Sequence, residues 1–287
     1  MIDMLIKIPG PYFLGIFILF SAFCIFVAWL LKKRLDDSIR YPMPSPTSLN
    51  PFEIAALRDG RKGVIQTALF NLYNRELLTI TGTGDTAEVQ KNDSTTQKPE
   101  GAFEEILYEF TNQTRTPKDF FTNTALQNSL DKFIEPINQK LEKMHLKPTD
   151  SQTKRYWIIA RVTLFFIIGV GGIKVFFGVF VYDHPAGFLI ILIFILSFIT
   201  LEVLQPDRAA LGEAFQKQLA KTFEWIKDEE VTELDPAFRV AIFGMTALSG
   251  FAAFSLFEDA FSKITHSESG GGCGGCGGCG GCGGCGG

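Results

Sequence analysis

The run from Pro11 to Leu31, PYFLGIFILFSAFCIFVAWLL, contains no charged side chain, and it constrains the fold more than any other stretch. A helix rises about 1.5 Å per residue, so about 20 apolar residues are needed to cross roughly 30 Å of hydrocarbon. A cleavable secretory signal is the rival reading. Its apolar region would be only about 7–15 residues long, behind a basic start and ahead of a small-residue cleavage site. Here Lys7 is the only basic residue before the run, whereas Lys32, Lys33 and Arg34 follow it. That order predicts a membrane anchor over residues 1–31. Because cationic flanks are retained in the cytoplasm, it also predicts an outward N-terminus and a cytoplasmic chain after Leu31.

Two further apolar runs continue the pattern. The stretch Trp157 to Tyr182 follows Lys154 and Arg155, so it is expected to enter from the cytoplasm; Arg161, one turn inside, has a stem long enough to snorkel back. Lys174 lies deeper. A lysine inside a span is costly and often functional; the alternatives are that it reaches out toward Tyr182, Asp183 and His184, or that it has a structural partner. Gly169, Gly171, Gly172 and Gly178 offer small surfaces for another span to approach. Asp183 to Ala186 makes an outer turn without Lys or Arg, and Gly187 to Leu204 returns to a side where Arg208, Lys217 and Lys221 follow. Residues 156–204 therefore read as a transmembrane hairpin. A fourth span is left open: Ala237 to Phe257 is long enough, but it carries Arg239 and is rich in Ala, Gly and Ser. Residues 205–269 are either cytoplasmic amphipathic helices or include that span. Composition agrees with a mainly α membrane protein, since 46% of residues are hydrophobic and 28 are phenylalanine.

The segment between the first and second runs has ordinary soluble composition. Residues 32–50, with Pro42, Pro44 and Pro46, form a stiff linker. Residues 51–150 read as a cytoplasmic winged-helix-like and helical α+β domain. Asn50-Pro51-Phe52-Glu53 is a helix start with Asn as cap and Pro at the first position. Asp59-Gly60 breaks that helix. A second helix is expected over Arg61 to Arg75, then strands at Leu77–Thr81 and Thr86–Gln90 about the turn Gly82–Asp85. Helix, turn, helix and hairpin outline a winged helix, but Asp85 and Glu88 on the wing and the formal net charge of −4 oppose a nucleic-acid partner. A packing or protein-docking module is the expectation. Ala125 to Leu146 makes a longer amphipathic helix, which Pro136 should kink or split. Asp207 to Glu233 reads as another, with Phe215, Leu219, Phe223 and Ile226 on its apolar side.

Catalytic constellations are missing. The histidines, His145, His184 and His266, fall in three separate segments, and neither a metalloprotease helix, a nucleophile elbow nor a phosphate-binding loop occurs. No enzymatic role is expected. The chemistry concentrates in the tail, Gly270 to Gly287, which holds Cys273, Cys276, Cys279, Cys282 and Cys285 among glycines only. Such sequence buries no apolar area and is expected to be disordered. A period of three would align the thiols along one edge of an extended helix. Overlapping Cys-x-x-Cys spacings suit Zn(II) or Cu(I) held by thiolates. Covalent modification by a dedicated enzyme and recognition by a protein partner stay open beside metal binding, as does drift of a low-complexity segment. Only Cys24 lies outside the tail, so no disulfide staples the body.

Two stretches, Asn50 to Leu78 (NPFEIAALRDGRKGVIQTALFNLYNRELL) and His184-Pro185-Ala186-Gly187-Phe188-Leu189, occur together with the Gly-Cys tail. In combination they resemble a family of uncharacterised bacterial membrane proteins with extremely Gly- and Cys-rich C-termini. The resemblance covers most of the chain from Asn50 onward and implies a multi-pass protein of the bacterial cytoplasmic membrane. It implies no activity, substrate or catalytic residue.

Overall fold

The computed structural model describes residues 10–180, 187–205, 208–227, 236–248 and 251–268. Its helices are α1 (Gly10–Leu35), α2 (Pro51–Asn74), α3 (Gly101–Phe110), α4 (Asp119–Thr122), α5 (Thr124–Lys143), α6 (Asp150–Phe180), α7 (Gly187–Leu204), α8 (Ala210–Thr222), α9 (Pro236–Phe243) and α10 (Ser255–Glu268). Two short strands, β1 (Leu78–Thr81) and β2 (Glu88–Lys91), lie between α2 and α3. The protein is mainly helical.

Among the described residues, three helices are long and apolar enough to cross a membrane: α1, α6 and α7. They pack on one another as a bundle. Phe13, Phe17, Ile167, Leu189 and Leu196 fill its far half, and Ala28, Ala160 and Leu204 meet where the bundle joins the soluble domain. Large side chains such as Phe165 and Phe194 point away, 75% and 73% exposed, as lipid-facing groups do. Of the glycines in α6, Gly171 has the packing role that the sequence suggested: a Cβ there would come 2.6 Å from Ile193 Cδ1 on α7. Gly169 and Gly172 face open space, and the surroundings of Gly178 lie outside the described residues.

Helix α2 is the axis of the soluble domain. Its start is a capping box: the Asn50 side chain accepts from the Glu53 N–H at 2.8 Å, and the Glu53 carboxylate accepts from the Asn50 N–H at 3.0 Å. The expected break at Asp59-Gly60 is a kink within one helix, where Gly60 takes φ +60°, ψ −138°; a residue with a Cβ rarely adopts that conformation. Beyond the kink, every residue from Gly63 to Phe70 is buried. Strands β1 and β2 are antiparallel, with Leu78 opposite Lys91 and Ile80 opposite Val89. Of the two outcomes expected at Pro136, the split does not occur. Helix α5 runs through it unsplit, because Leu130 and Ile134 before it and Leu141 after it are all buried in one core and hold the helix across the missing hydrogen bond.

The chain after the hairpin returns to this core. Phe215 and Leu219 of α8, Val240 and Ala241 of α9, and Phe257 and Phe261 of α10 are buried together with Leu57, Leu69 and Phe70 of α2. Helix α8 is shorter than the amphipathic pattern suggested and ends at Thr222, followed by a 3-10 turn over Glu224–Lys227. The stretch 237–257, open between a fourth span and packed helices, contains among its described residues only short elements. These are α9, 3-10 turns at Met245–Leu248 and Ala252–Phe254, and the start of α10, all against the domain.

At Gly212, in the first turn of α8, an added Cβ would collide with the Leu146 carbonyl oxygen. Gly212→Ala is therefore expected to lower stability by about 1–3 kcal/mol, seen as a lower thermal midpoint in detergent. Gly169→Ala, which meets open space, should leave the midpoint unchanged or slightly raised.

Candidate functional site

The soluble domain meets the bundle where three segments converge. They are the linker after α1, the turn between α5 and α6, and the turn between α7 and α8. The end of α7 has carbonyls without helical partners, and the Lys32 ammonium donates to two of them, Gln205 at 2.5 Å and Val203 at 3.5 Å. A cation is the favourable charge at that pole. Helix α8 begins after Ala209, whose side chain caps nothing. The linker supplies the cap instead: Asp36 Oδ2 accepts from the Ala210 N–H at 2.7 Å and Ser38 Oγ from the Leu211 N–H at 3.0 Å. The Ala209 N–H donates to the Leu146 carbonyl at 3.2 Å. Beside this, Tyr41 stacks on His145 with ring centroids 3.5 Å apart; His145 takes a left-handed backbone, φ +57°, to make the turn into α6.

A second junction ties the halves of the soluble domain together. The Arg58 guanidinium is buried, and it donates to the Val240 and Ala241 carbonyls at the end of α9, the latter at 2.8 Å. It also donates to Gln66 Oε1 at 3.4 Å and pairs with Asp59 at 2.6 Å. Arg208 donates to the Arg58 carbonyl and to Gln216 Oε1, so the kink in α2 is held from both sides. Other buried acids are similarly satisfied. Glu104 accepts from Asn71 at 2.7 Å, from Arg75 at 3.3 Å and from the Glu100 N–H at 2.9 Å, and Glu53 pairs with Lys140 at 2.7 Å. Fully partnered charges of this kind specify packing.

An open cleft of about 430 Å³ lies beside the turn into α6, lined by Glu135, Asn138, Gln139, Glu142, Lys147 and Asp150. Burial, and then the nearby Asp150 and Glu135 carboxylates, push the Glu142 carboxyl above the usual range, with Lys147 opposing them.

The last described helix is pinned by aromatics. Phe257 meets Phe70 at 5.4 Å and Tyr73 at 5.3 Å, Phe261 meets Phe120 and Phe121 at 6.4 Å each, and Asp259 Oδ2 accepts from the Gly84 N–H at 2.9 Å. Cys273, Cys276, Cys279, Cys282 and Cys285 follow this helix and lie outside the described residues. Lys174 rests against the first span, its ammonium 5.2 Å from the centre of the Phe13 ring. Among the described residues, no three His, Cys, Asp or Glu side chains approach closely enough to hold a metal.

No family model, curated protein or solved structure matches the chain.

Sequence reasoning missed Arg58, Asp36, Ser38 and the structural use of Lys32. Two signals were present: an Asp-Asp-Ser run one residue beyond the basic cluster, and a helix at Ala210 with no capping residue of its own.

Arg58→Met is expected to leave the Val240 and Ala241 carbonyls buried without donors, costing on the order of 3 kcal/mol. Limited proteolysis should then release the segment after residue 205 before the rest of the domain. Glu142 holds its proton more tightly in the folded chain than in the unfolded one. Its contribution to stability is therefore present below the ordinary carboxylate range and lost as pH rises through its raised pKa. Glu142→Gln should raise the thermal midpoint at pH 7, with the gain vanishing toward about pH 4.

Proposed function

We propose that this is a membrane-anchored interaction protein that presents the thiol tail Gly270–Gly287 on the cytoplasmic face for metal binding or partner recognition. One observation carries the reading: α10 is docked on the soluble domain by Phe257, Phe261 and Asp259, so the tail starts from the face that holds that domain. The cations at the domain-side ends of α1 and α6 support assigning that face to the cytoplasm of a bacterial inner membrane. There thiols stay reduced. A glycine-rich chain of this length has a root-mean-square span of about 24 Å, which keeps all five cysteines within reach of the domain. Four of them, Cys273, Cys276, Cys279 and Cys282, supply a tetrathiolate set for Zn(II) or Cu(I). Lys174 is read as a structural contact of the bundle.

The order helix, kink, helix and hairpin in residues 51–91 supports a winged-helix-like shape. The second helical half is buried from Gly63 to Phe70, which favours protein packing over a DNA groove. The alternative for the tail is that it is the substrate of a dedicated modifying enzyme, with the same placement.

The test uses reduced, purified full-length protein beside a chain truncated after Ser269. Bound zinc or copper should appear with the full chain and not with the truncation. Equal metal in both would remove the metal reading, and a mass above five free thiols in protein from its native host would favour modification. In intact cells, a membrane-impermeant maleimide should label the tail only after permeabilisation; labelling without it would overturn the cytoplasmic placement.

A further inference from the structure

We propose that the domain-side end of the span bundle is a binding site for anionic phospholipid headgroups. It is formed by Lys33 and Arg34 at the end of α1 with Lys154, Arg155 and Arg161 at the start of α6. The proposal rests on reading the three apolar helices as spans and is independent of what the tail binds.

The two helices are antiparallel neighbours whose heights are fixed by two contacts. Ala28 and Ala160 are buried in one small cluster, and the Lys32 ammonium lies 5.8 Å from the centre of the Tyr156 ring. Counting onward from those pairs sets Lys33 level with Arg155 and Arg34 level with Lys154, with Arg161 near Val27. At about 1.5 Å per residue, the five cations fall within about 10 Å of height, the thickness of a headgroup layer. Trp29 and Trp157 stand at the same level, 42% and 41% exposed, where indole rings mark the boundary between hydrocarbon and headgroups. Lys33 lies over the Trp29 ring at 5.4 Å.

What singles out these cations is that no carboxylate closes on any of them. All five are exposed, and among the described residues none forms an ion pair. Of the nearby acids, Asp36 caps α8, Asp37 pairs with Arg40 at 3.4 Å, and Asp150 lines the cleft beside Glu142; they keep their charge but pair with none of the five cations. With Glu202 on α7 that makes four carboxylates against the five cations, Lys32 and Arg40. Lys32 turns inward to the carbonyls that end α7, and the two residues after it, Lys33 and Arg34, are left facing outward. A phosphodiester with no cation of its own matches this surface, and guanidinium groups bind phosphate oxygens in pairs. A zwitterionic headgroup brings its own positive charge and gains little.

The test is the composition of the boundary lipid around full-length protein in bilayers of equal phosphatidylglycerol and phosphatidylcholine, read with spin-labelled lipids. Each juxtamembrane cation is worth about fivefold in association, so phosphatidylglycerol should be preferred on the order of fivefold or more at low salt. The preference should fall toward unity at high salt, where screening lengths shrink to about 3 Å. It should also fall in the variant Lys33→Gln/Arg34→Gln/Lys154→Gln/Arg155→Gln, provided its thermal midpoint in neutral detergent is unchanged. If that variant does not fold, Arg161→Gln and the salt series on the wild-type chain decide the matter. No preference in the wild-type chain, or a preference indifferent to both salt and substitution, overturns the proposal. Loss of the preference to inorganic phosphate at constant ionic strength would also overturn it, by showing a site for soluble anions.

Discussion

A chain that enters a bilayer through one helix and leaves through the next must emerge on the face it left. Helices α6 and α7, each long and apolar enough to cross and packed on each other, bring the chain back in this way, and the soluble domain depends on it. The domain is assembled from two stretches that the hairpin separates in sequence but returns to one place. Helix α2 supplies its axis, and α8, α9 and α10, arriving more than a hundred residues later, close over it. Each weld between the stretches is polar and short: Arg58 on the end of α9, Asp36 and Ser38 on the start of α8, Lys32 on the end of α7. All three satisfy backbone groups that a helix end leaves bare. The packing of apolar side chains supplies most of the cohesion, while these contacts set register and angle.

The charges thus divide into two populations. Those turned inward are few and fully partnered, as at Arg58, Glu53 and Glu104. Among those turned outward, Lys33, Arg34, Lys154, Arg155 and Arg161 stand together where the bundle meets the domain. Lys32 and Lys33 show how fine the division is, since adjacent residues on one helix point to opposite environments. One ends α7, and the other sits over an exposed indole.

Features carried by local pattern were legible in the sequence. The third span reads off as Gly187–Leu204, the Asn50–Glu53 capping box is present, and Asp59-Gly60 does interrupt α2. Each depends on residues a few positions apart. The split expected at Pro136 does not occur because its local penalty is outweighed by the burial of Leu130, Ile134 and Leu141 on either side. The stretch 237–257 stayed ambiguous because Ala, Gly and Phe suit a lipid-facing helix and a crowded soluble core equally well. Its destination follows from the Arg58 contact across the chain, and no window of sequence contains both partners. The same holds for the caps supplied by Asp36 and Ser38. At the thiol tail, spacing alone was informative, since the described residues end before the first of its cysteines.

The docking of α9 and α10 on α2 also governs the order in which the protein can mature. By the time the apolar hairpin of α6 and α7 has entered the bilayer, α2 has already been made, yet Arg58, Phe70 and Tyr73 still lack the residues that cover them. Closure waits for the final stretch to leave the ribosome. Until then an apolar groove stands open to chaperones and proteases, and a ribosome that stalls before residue 236 leaves that groove permanently uncovered. The C-terminal helices thereby make the folded state of the domain a report that translation has run past them.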